Sequence, residues 1–360
     1  MKAAVCHEFG EPLIVEEPEI DPPQVGEVKV DVAACAICHS DIHLVRGEWG
    51  GKTPVVAGHE VAGVVSEVGT GVTGVQPQDR VVVSLLRSCG RCFYCSIGRP
   101  HNCEGDFALK RETRLHLQDG TPVAQGIYTG GFAEQVVVDQ SQVVRVPSEQ
   151  IPLDSASLLA CGVATGVGAV TNTARVECGS SVVVLGVGGV GLNCVQGAAL
   201  SGAAKIIAVD LLDSKLEAAR GFGATHTINA GDEDPVAAVL ELTGGRGADY
   251  AFAAIGVSKV ISQSTEMIRK GGVAVVVGMP PNEDVACTIN AHTLTWGRTL
   301  KGSFMGSTRL AVDVPRLAEL YLQGRLKLDE LITGRYPLES INEAIESVER
   351  GEALRNVIVF

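Results

Sequence analysis

From about residue 180 the chain alternates short runs of β-branched and aliphatic residues with stretches whose apolar positions recur at helical spacing. That is the pattern of strands and helices wound into a parallel sheet. The apolar runs predict strands at Ser181 to Leu185, Lys205 to Val209, His226 to Ile228, Asp249 to Ala253, Val273 to Val277 and around Leu300 to Ser303. Helices are predicted at Ser214 to Phe222, Val236 to Leu242 and Val260 to Ile268. Six strands in this order suit a doubly wound, nucleotide-binding α/β domain. Before residue 160 the texture changes. Shorter β-like segments, Lys2 to Cys6, Val28 to Ala34, Val61 to Val68 and Arg80 to Val83, are broken by Pro18, Pro22, Pro23 and many glycines. This predicts an irregular, mainly antiparallel domain. Beyond about residue 305 come two helices, Val312 to Gln323 and Ile341 to Arg350, and a strand Asn356 to Phe360. Periodicity alone leaves open which domain this tail joins.

A chain of 360 residues is long enough for two domains. Its formal charge of −13 argues against nucleic acid or an anionic membrane as partner, because neither polyanion would be attracted. The stretch Ser181 to Leu200 approaches the length of a membrane span, but it holds five glycines, Asn193 and Gln196. The opening residues MKAAVCHEFGEP lack the charged-then-apolar order of an export signal. The expectation is a cytoplasmic protein whose cysteines are reduced and available for metal.

Those cysteines carry the sharpest local signal. Cys89, Cys92 and Cys95, followed by Cys103, have the tight spacing with which two short knuckles and a loop surround one zinc ion. Two disulfides would be the alternative, disfavoured by the odd total of 11 cysteines.

The run Gly186-Val187-Gly188-Gly189-Val190-Gly191 follows the first strand of the α/β half and opens an apolar helix, the context in which a glycine pattern indicates a dinucleotide. Gly186 permits the tight turn, Gly188 lets the backbone approach a pyrophosphate, and Gly191 lets helix and strand pack closely. The phosphates would sit on free amides at the helix N-terminus. Asp210, at the end of the second strand, can accept hydrogen bonds from the adenosine ribose and would repel a ribose phosphate, which selects NAD over NADP. Lys215 is a second ribose contact on this reading.

In the first half, Cys38-His39-Ser40-Asp41-Ile42-His43 lies about twenty residues before Gly58-His59-Glu60, and Cys161 follows much later. Taken singly, each such residue is more often a core thiol or a surface imidazole than a ligand. Together they resemble the zinc-containing alcohol dehydrogenases of the medium-chain dehydrogenase/reductase superfamily, for which a Cys₂His catalytic zinc is the standard pattern. The resemblance runs from the first strand to the last residues. It implies a mainly antiparallel, GroES-like catalytic domain over 1–162 and 306–360, and an NAD-binding Rossmann domain over 163–305. By the same resemblance, Cys38, His59 and Cys161 would hold a catalytic zinc, with Glu60 able to approach it as an alternate ligand. Cys89, Cys92, Cys95 and Cys103 would hold a structural zinc, making two per subunit.

Three protein ligands leave one position at which an alcohol loses its proton more readily, after which hydride moves to the nicotinamide. Ser40 and His43 match the family's proton relay, imidazole being suited to the last step. Asp41 would orient His59, unless its role is only to cap the helix that begins there. His39 and Arg355 fall where the family contacts the pyrophosphate, and Thr165 where it contacts the nicotinamide. The substrate pocket would involve Ser40, Trp49 and Leu85, with Leu86 read as core. Bulky apolar groups there favour primary, aromatic or medium-chain alcohols and the matching aldehydes.

A thiol-adduct formaldehyde dehydrogenase of the glutathione or mycothiol type is the alternative, since the insertion between Cys103 and Gly131 resembles that of the dimeric members. Against the glutathione branch, Gly47-Glu48-Trp49-Gly50-Gly51 places Glu48 off the expected acidic positions, and His43 stands where that branch tends to have tyrosine. A more remote alternative is a nucleotide- and zinc-binding protein without catalysis. The family habit of pairing through the sheet edge around Thr299 to Met305 implies a homodimer or homotetramer.

Overall fold

Valine- and alanine-rich strands place alternate side chains on both faces of each sheet, and the core is built from them. The computed structural model describes residues 1–360. It divides into two units, Met1–Cys161 together with Arg309–Phe360, and Gly162–Thr308.

The first unit holds two sheets. One has the strand order Ile14–Glu16, Ala3–Cys6, Val55–Val56, Pro122–Gln125, Leu115–His116, Glu19–Ile20. The other runs Val143–Arg145, Arg80–Val83, Glu60–Val68, Glu27–Ala36, Arg355–Val359, Ile332–Pro337, with Gln135–Asp139 pairing Glu27–Ala36 on a separate branch. Pairing is mainly antiparallel; Val55–Val56 with Pro122–Gln125 and Ile332–Pro337 with Arg355–Val359 are parallel. The tail joins this unit because Arg355–Val359 hydrogen-bonds to Glu27–Ala36, with Val357 opposite Ala36. Between the sheets lies a continuous core that includes Val5, Val30, Val61, Leu115 and Phe132.

The second unit is one six-stranded parallel sheet, ordered His226–Asn229, Lys205–Asp210, Ser181–Leu185, Ala248–Ala253, Ile268–Val276, Thr299–Gly302. This order reverses at Ser181–Leu185, the doubly wound arrangement in which ligands bind beyond the carboxyl ends of the strands. The strand Ile268–Val276 starts five residues before the apolar run that betrays it. Its opening, Arg269-Lys-Gly-Gly, is polar and glycine-rich, and a register shift between Ala248 and Tyr250 of the neighbour absorbs the irregularity. The apolar stretch considered as a membrane span is a buried strand, Ser181–Leu185, and the helix Gly189–Leu200. No single helix is long and apolar enough to cross a membrane.

Candidate active site and metal centres

The segment 89–105 folds on itself through left-handed turns at Gly90 and Gly98, a short helix Phe93–Ser96 and a 3₁₀ turn Pro100–Asn102. The Cys89, Cys92, Cys95 and Cys103 sulfurs lie within 4.8 Å of one another, and those of Cys92 and Cys103 are 3.8 Å apart. Sulfurs about 2.3 Å from a tetrahedral zinc stand roughly 3.8 Å from each other, so the cluster has the size of such a site. The amides of Cys89 and Gly105 donate to Cys103 Sγ at 3.2 and 3.3 Å, and that of Cys92 to Cys89 Sγ at 3.3 Å. Bonds of this kind favour thiolates. Cys92 is drawn down to about 6, first by the Cys95 backbone. Cys95 is pushed up to about 12, first by burial. Four adjacent thiols cannot all ionise unaided, and a dication removes the conflict. None of the cysteines forms a disulfide.

The second cluster is assembled by sheet register. Ala36 pairs with Glu60, and Val357 with Ala36. That places His59 and Glu60 beside the chain leaving Ala36, and Arg355 on the other side of it. Cys161 arrives after the turn Leu158–Ala160, whose Ala160 carbonyl accepts a 2.6 Å bond from Ser84 Oγ at the end of the strand Arg80–Val83. The donor atoms of Cys38, His59, Glu60 and Cys161 converge within 4.8 Å of one another, all buried.

Asp41, fully buried, organises the group. One oxygen accepts from His59 Nδ1 at 2.7 Å and from the Gly58 amide at 2.9 Å. The other accepts from the Cys38 amide at 3.1 Å, which ties down the start of the helix His39–Val45. Orienting His59 and securing the helix are therefore compatible tasks of one carboxylate. With Nδ1 donating, the lone pair of His59 sits on Nε2, which is buried and lacks a hydrogen-bond partner. Such an atom among two thiols and a carboxylate is suited to a metal ion. A hydrogen bond from Cys161 holds the Cys38 thiol well below its usual range, while the same contact and burial hold Cys161 well above. Glu60 is ion-paired with Arg355. Burial works against the Arg355 charge, but Glu60 overrides it and keeps the guanidinium raised.

Ser40 Oγ lies 3.7 Å from Cys38 Sγ. His43, on the same helix, bonds through Nδ1 to Glu48, and its ring lies 5.0 Å from that of Trp49. His39 is exposed, with its ring 6.5 Å from that of His43. Leu85 is half-buried and Leu86 is core. Sequence reasoning missed two pairings, Glu48 with His43 and Glu60 with Arg355. Glycine directly before Glu48 is a helix-stop signal that hints at the first; the second depends on register.

In the second unit, Gly186 follows the first strand at φ +80°. A Cβ on Gly191 would come within 1.8 Å of the Gly186 carbonyl, whereas one on Gly188 would meet nothing within 4 Å. Close packing therefore fixes Gly191, and the open space lies at Gly188, at the start of the helix Gly189–Leu200. Asp210 accepts from the Val187 amide at 2.8 Å and from the Leu211 amide at 2.8 Å, so the carboxylate is held against the glycine turn. Val190 lies in the first turn of the dinucleotide helix; Lys215 is half-buried on the helix Asp213–Gly221. Thr165 is buried on Gly162–Gly168, a helix that meets the dinucleotide helix where a Cβ on Gly166 would come within 2.4 Å of the Val190 carbonyl. A depression of about 320 Å³ at the opposite end of this sheet, lined by Lys205, Asp249 and Arg269 among others, contains none of these residues.

Residues 24–148 match the alcohol dehydrogenase GroES-like domain family, and residues 189–322 the zinc-binding dehydrogenase family. The chain is 40% identical to the NDMA-dependent alcohol dehydrogenase of Amycolatopsis methanolica, over 99% of this chain and 98% of that protein. It belongs to the zinc-containing alcohol dehydrogenases of the medium-chain superfamily. It is 37% identical to the alcohol dehydrogenase class-3 of Cereibacter sphaeroides, over 100% of this chain and 99% of the relative. The benzyl alcohol dehydrogenase of Acinetobacter calcoaceticus superposes with a TM-score of 0.92 at 32% identity, covering 100% of this chain and 99% of that structure. An alcohol dehydrogenase is an oxidoreductase, and the parallel sheet and GroES-like half are those of this family.

Proposed function

We propose that the protein is an NAD-dependent zinc alcohol dehydrogenase that interconverts primary, apolar alcohols and their aldehydes. The observation that carries this reading is the buried convergence of Cys38, His59 and Cys161, with His59 Nε2 turned toward the two sulfurs' neighbourhood and unpartnered. Zinc, when bound, supplies the positive charge that acidifies an alcohol hydroxyl, and NAD supplies the hydride acceptor. Cys38, His59 and Cys161 would hold the catalytic ion, with Glu60 as an alternate ligand. Cys89, Cys92, Cys95 and Cys103 would hold a second, structural one.

The remaining work belongs to the chain. Asp41 fixes the His59 tautomer. Ser40 receives the alcohol proton, and His43 carries it onward. The glycine turn from Gly186 to Gly191 receives the pyrophosphate on backbone amides, with His39 and Arg355 as its side-chain contacts. Asp210 and Lys215 bind the adenosine ribose, and Thr165 the nicotinamide. Trp49 and Leu85 shape the alcohol pocket, which agrees with the benzyl alcohol activity named for the structural neighbour. We place this enzyme in the cytoplasm as a homodimer or homotetramer.

A second reading is favoured by the 40% identical relative named for NDMA dependence: a dehydrogenase that needs that acceptor for turnover. Initial rates with benzyl, cinnamyl, hexyl and ethyl alcohols, with NAD alone and with NDMA added, separate the two. NADH formation with free alcohols, lost on chelation of zinc, is the expected result. Turnover only with NDMA would favour the second reading, and turnover only of formaldehyde with a thiol would favour the adduct enzyme.

A further inference from the structure

The helix His39–Val45 ends at Arg46, and Gly47 follows at φ +74°, where a Cβ would come within 2.9 Å of Phe9. Only glycine suits that left-handed, crowded position. The reversal folds the chain back over the helix, so that the Glu48 amide donates to the His43 carbonyl at 3.0 Å. The Glu48 carboxylate meets His43 Nδ1 on the same side. The imidazole itself is held two ways, by the Trp49 ring beside it and by a carboxylate at one nitrogen. With Nδ1–H donated to Glu48, Nε2 is left as the acceptor. Glu48 is also the more open of the two side chains, 40% exposed against 22% for His43.

Other charges flank this pair: Arg46 also feels the Glu48 carboxylate, and the His39 ring lies 6.5 Å from that of His43. On the same helix, Arg46 is bidentate to Glu349 at 3.0 and 2.9 Å, and His39 is exposed to solvent. From the helix Ile341–Glu349, Glu346 and Glu349 face Arg46. From the segment Gly126–Tyr128, packed on the helix at Leu44, Tyr128 has its ring against the Arg87 guanidinium, 3.8 Å away.

We propose that Glu48 is a positioning residue for the proton relay: it fixes the tautomer of His43 and gives the released proton its exit to water. The inference rests on the alcohol dehydrogenase reading and deepens it. As a proton reaches His43 Nε2, the Nδ1 proton passes to the carboxylate and from there to solvent, leaving a neutral ring protonated on Nε2; loss of that proton to water and return of one to Nδ1 through Glu48 restore the starting tautomer, so one proton leaves per turnover. The carboxylate also stabilises the transient imidazolium.

Two measurements on the holoenzyme test this, using Glu48→Gln, Glu48→Asp and Gly47→Ala. First, ring ¹⁵N NMR of His43, which needs no turnover: the wild type should carry its proton on Nδ1 at high pH. In Glu48→Gln that preference should be lost, because a neutral amide can donate to Nδ1 as readily as accept from it. Second, the pH profile of alcohol oxidation: Glu48→Gln should lose roughly threefold to tenfold in kcat near neutrality with KM unchanged, and recover at alkaline pH or with added imidazole buffer. Glu48→Asp should recover part of the loss, and Gly47→Ala should reproduce it by displacing the carboxylate. A tautomer unchanged by Glu48→Gln, a kcat profile identical to the wild type, or an equal loss at every pH that buffer does not relieve would each overturn the proposal. Absence of any alcohol turnover in the wild type would defeat the functional reading instead, and the ring-nitrogen NMR would still decide the pairing.

Discussion

The two cysteine-containing clusters use the same ligand chemistry and are built in opposite ways. Cys89, Cys92, Cys95 and Cys103 come from one short, half-exposed segment and include no carboxylate. Cys38, His59, Glu60 and Cys161 are wholly buried, come from distant parts of the chain, and depend on Asp41 and Arg355 for their arrangement. The first needs only its own turns and a cation. The second needs two strand registers, an oriented imidazole and a paired buried charge. A site that must remain open to a substrate cannot be closed by four thiolates, so its geometry has to come from the surrounding protein.

Substitutions at the two clusters should therefore fail differently. The largest effect is expected for Cys38→Ser. Turnover should drop on the order of 10³-fold or more, since the metal's contribution is worth several kcal/mol. Metal analysis should then find one zinc per chain in place of two. Unchanged turnover would sink the mechanism. Arg355→Met comes next. It removes the ion-pair partner of buried Glu60, and breaking such a buried pair typically costs about 3–5 kcal/mol, read from the midpoint of urea unfolding. No residue of the cysteine lobe should show a comparable charge-specific cost.

Asp41→Asn should weaken zinc affinity at the catalytic cluster by roughly 10–100-fold, measured by competition with a chromogenic chelator, and leave the lobe's affinity unaltered. The smallest effect on activity is expected for Cys92→Ser. It should release the lobe's zinc and lower the unfolding temperature while reducing kcat by less than about tenfold, because the lobe binds no reacting atom. A loss as deep as that of Cys38→Ser would erase the distinction between the clusters.

The same contrast governs how much could be read from the sequence. The lobe declares itself in the spacing of four cysteines. The strands Ser181–Leu185 and Arg80–Val83 were equally plain, because β-branched runs are bounded there by polar or glycine-rich turns. The glycine turn and Asp210 were legible as a motif, each glycine having a distinct steric reason. Cys38, His59 and Cys161 were nominated only by resemblance; nothing in their spacing says that they meet. The Glu60–Arg355 and His43–Glu48 pairs were invisible for the same reason. One follows from register between strands that are far apart in sequence, the other from a single left-handed glycine. The ownership of the tail likewise lies in hydrogen bonds between Arg355–Val359 and Glu27–Ala36, which no local pattern encodes.

That last pairing also sets an order of assembly during synthesis. The cysteine lobe has all four thiols once residue 103 has left the ribosome, and on the proposed zinc assignment it takes up its metal on a chain less than half made. Glu60 must wait for Arg355, nearly three hundred residues later, before its charge can be enclosed. Until then the Ala34–Ala36 end of the strand Glu27–Ala36 keeps part of one edge unpaired. On the proposed zinc assignment, a chain stalled before its final strand would carry the lobe's zinc but lack Arg355, the partner that Glu60 meets in the buried cluster.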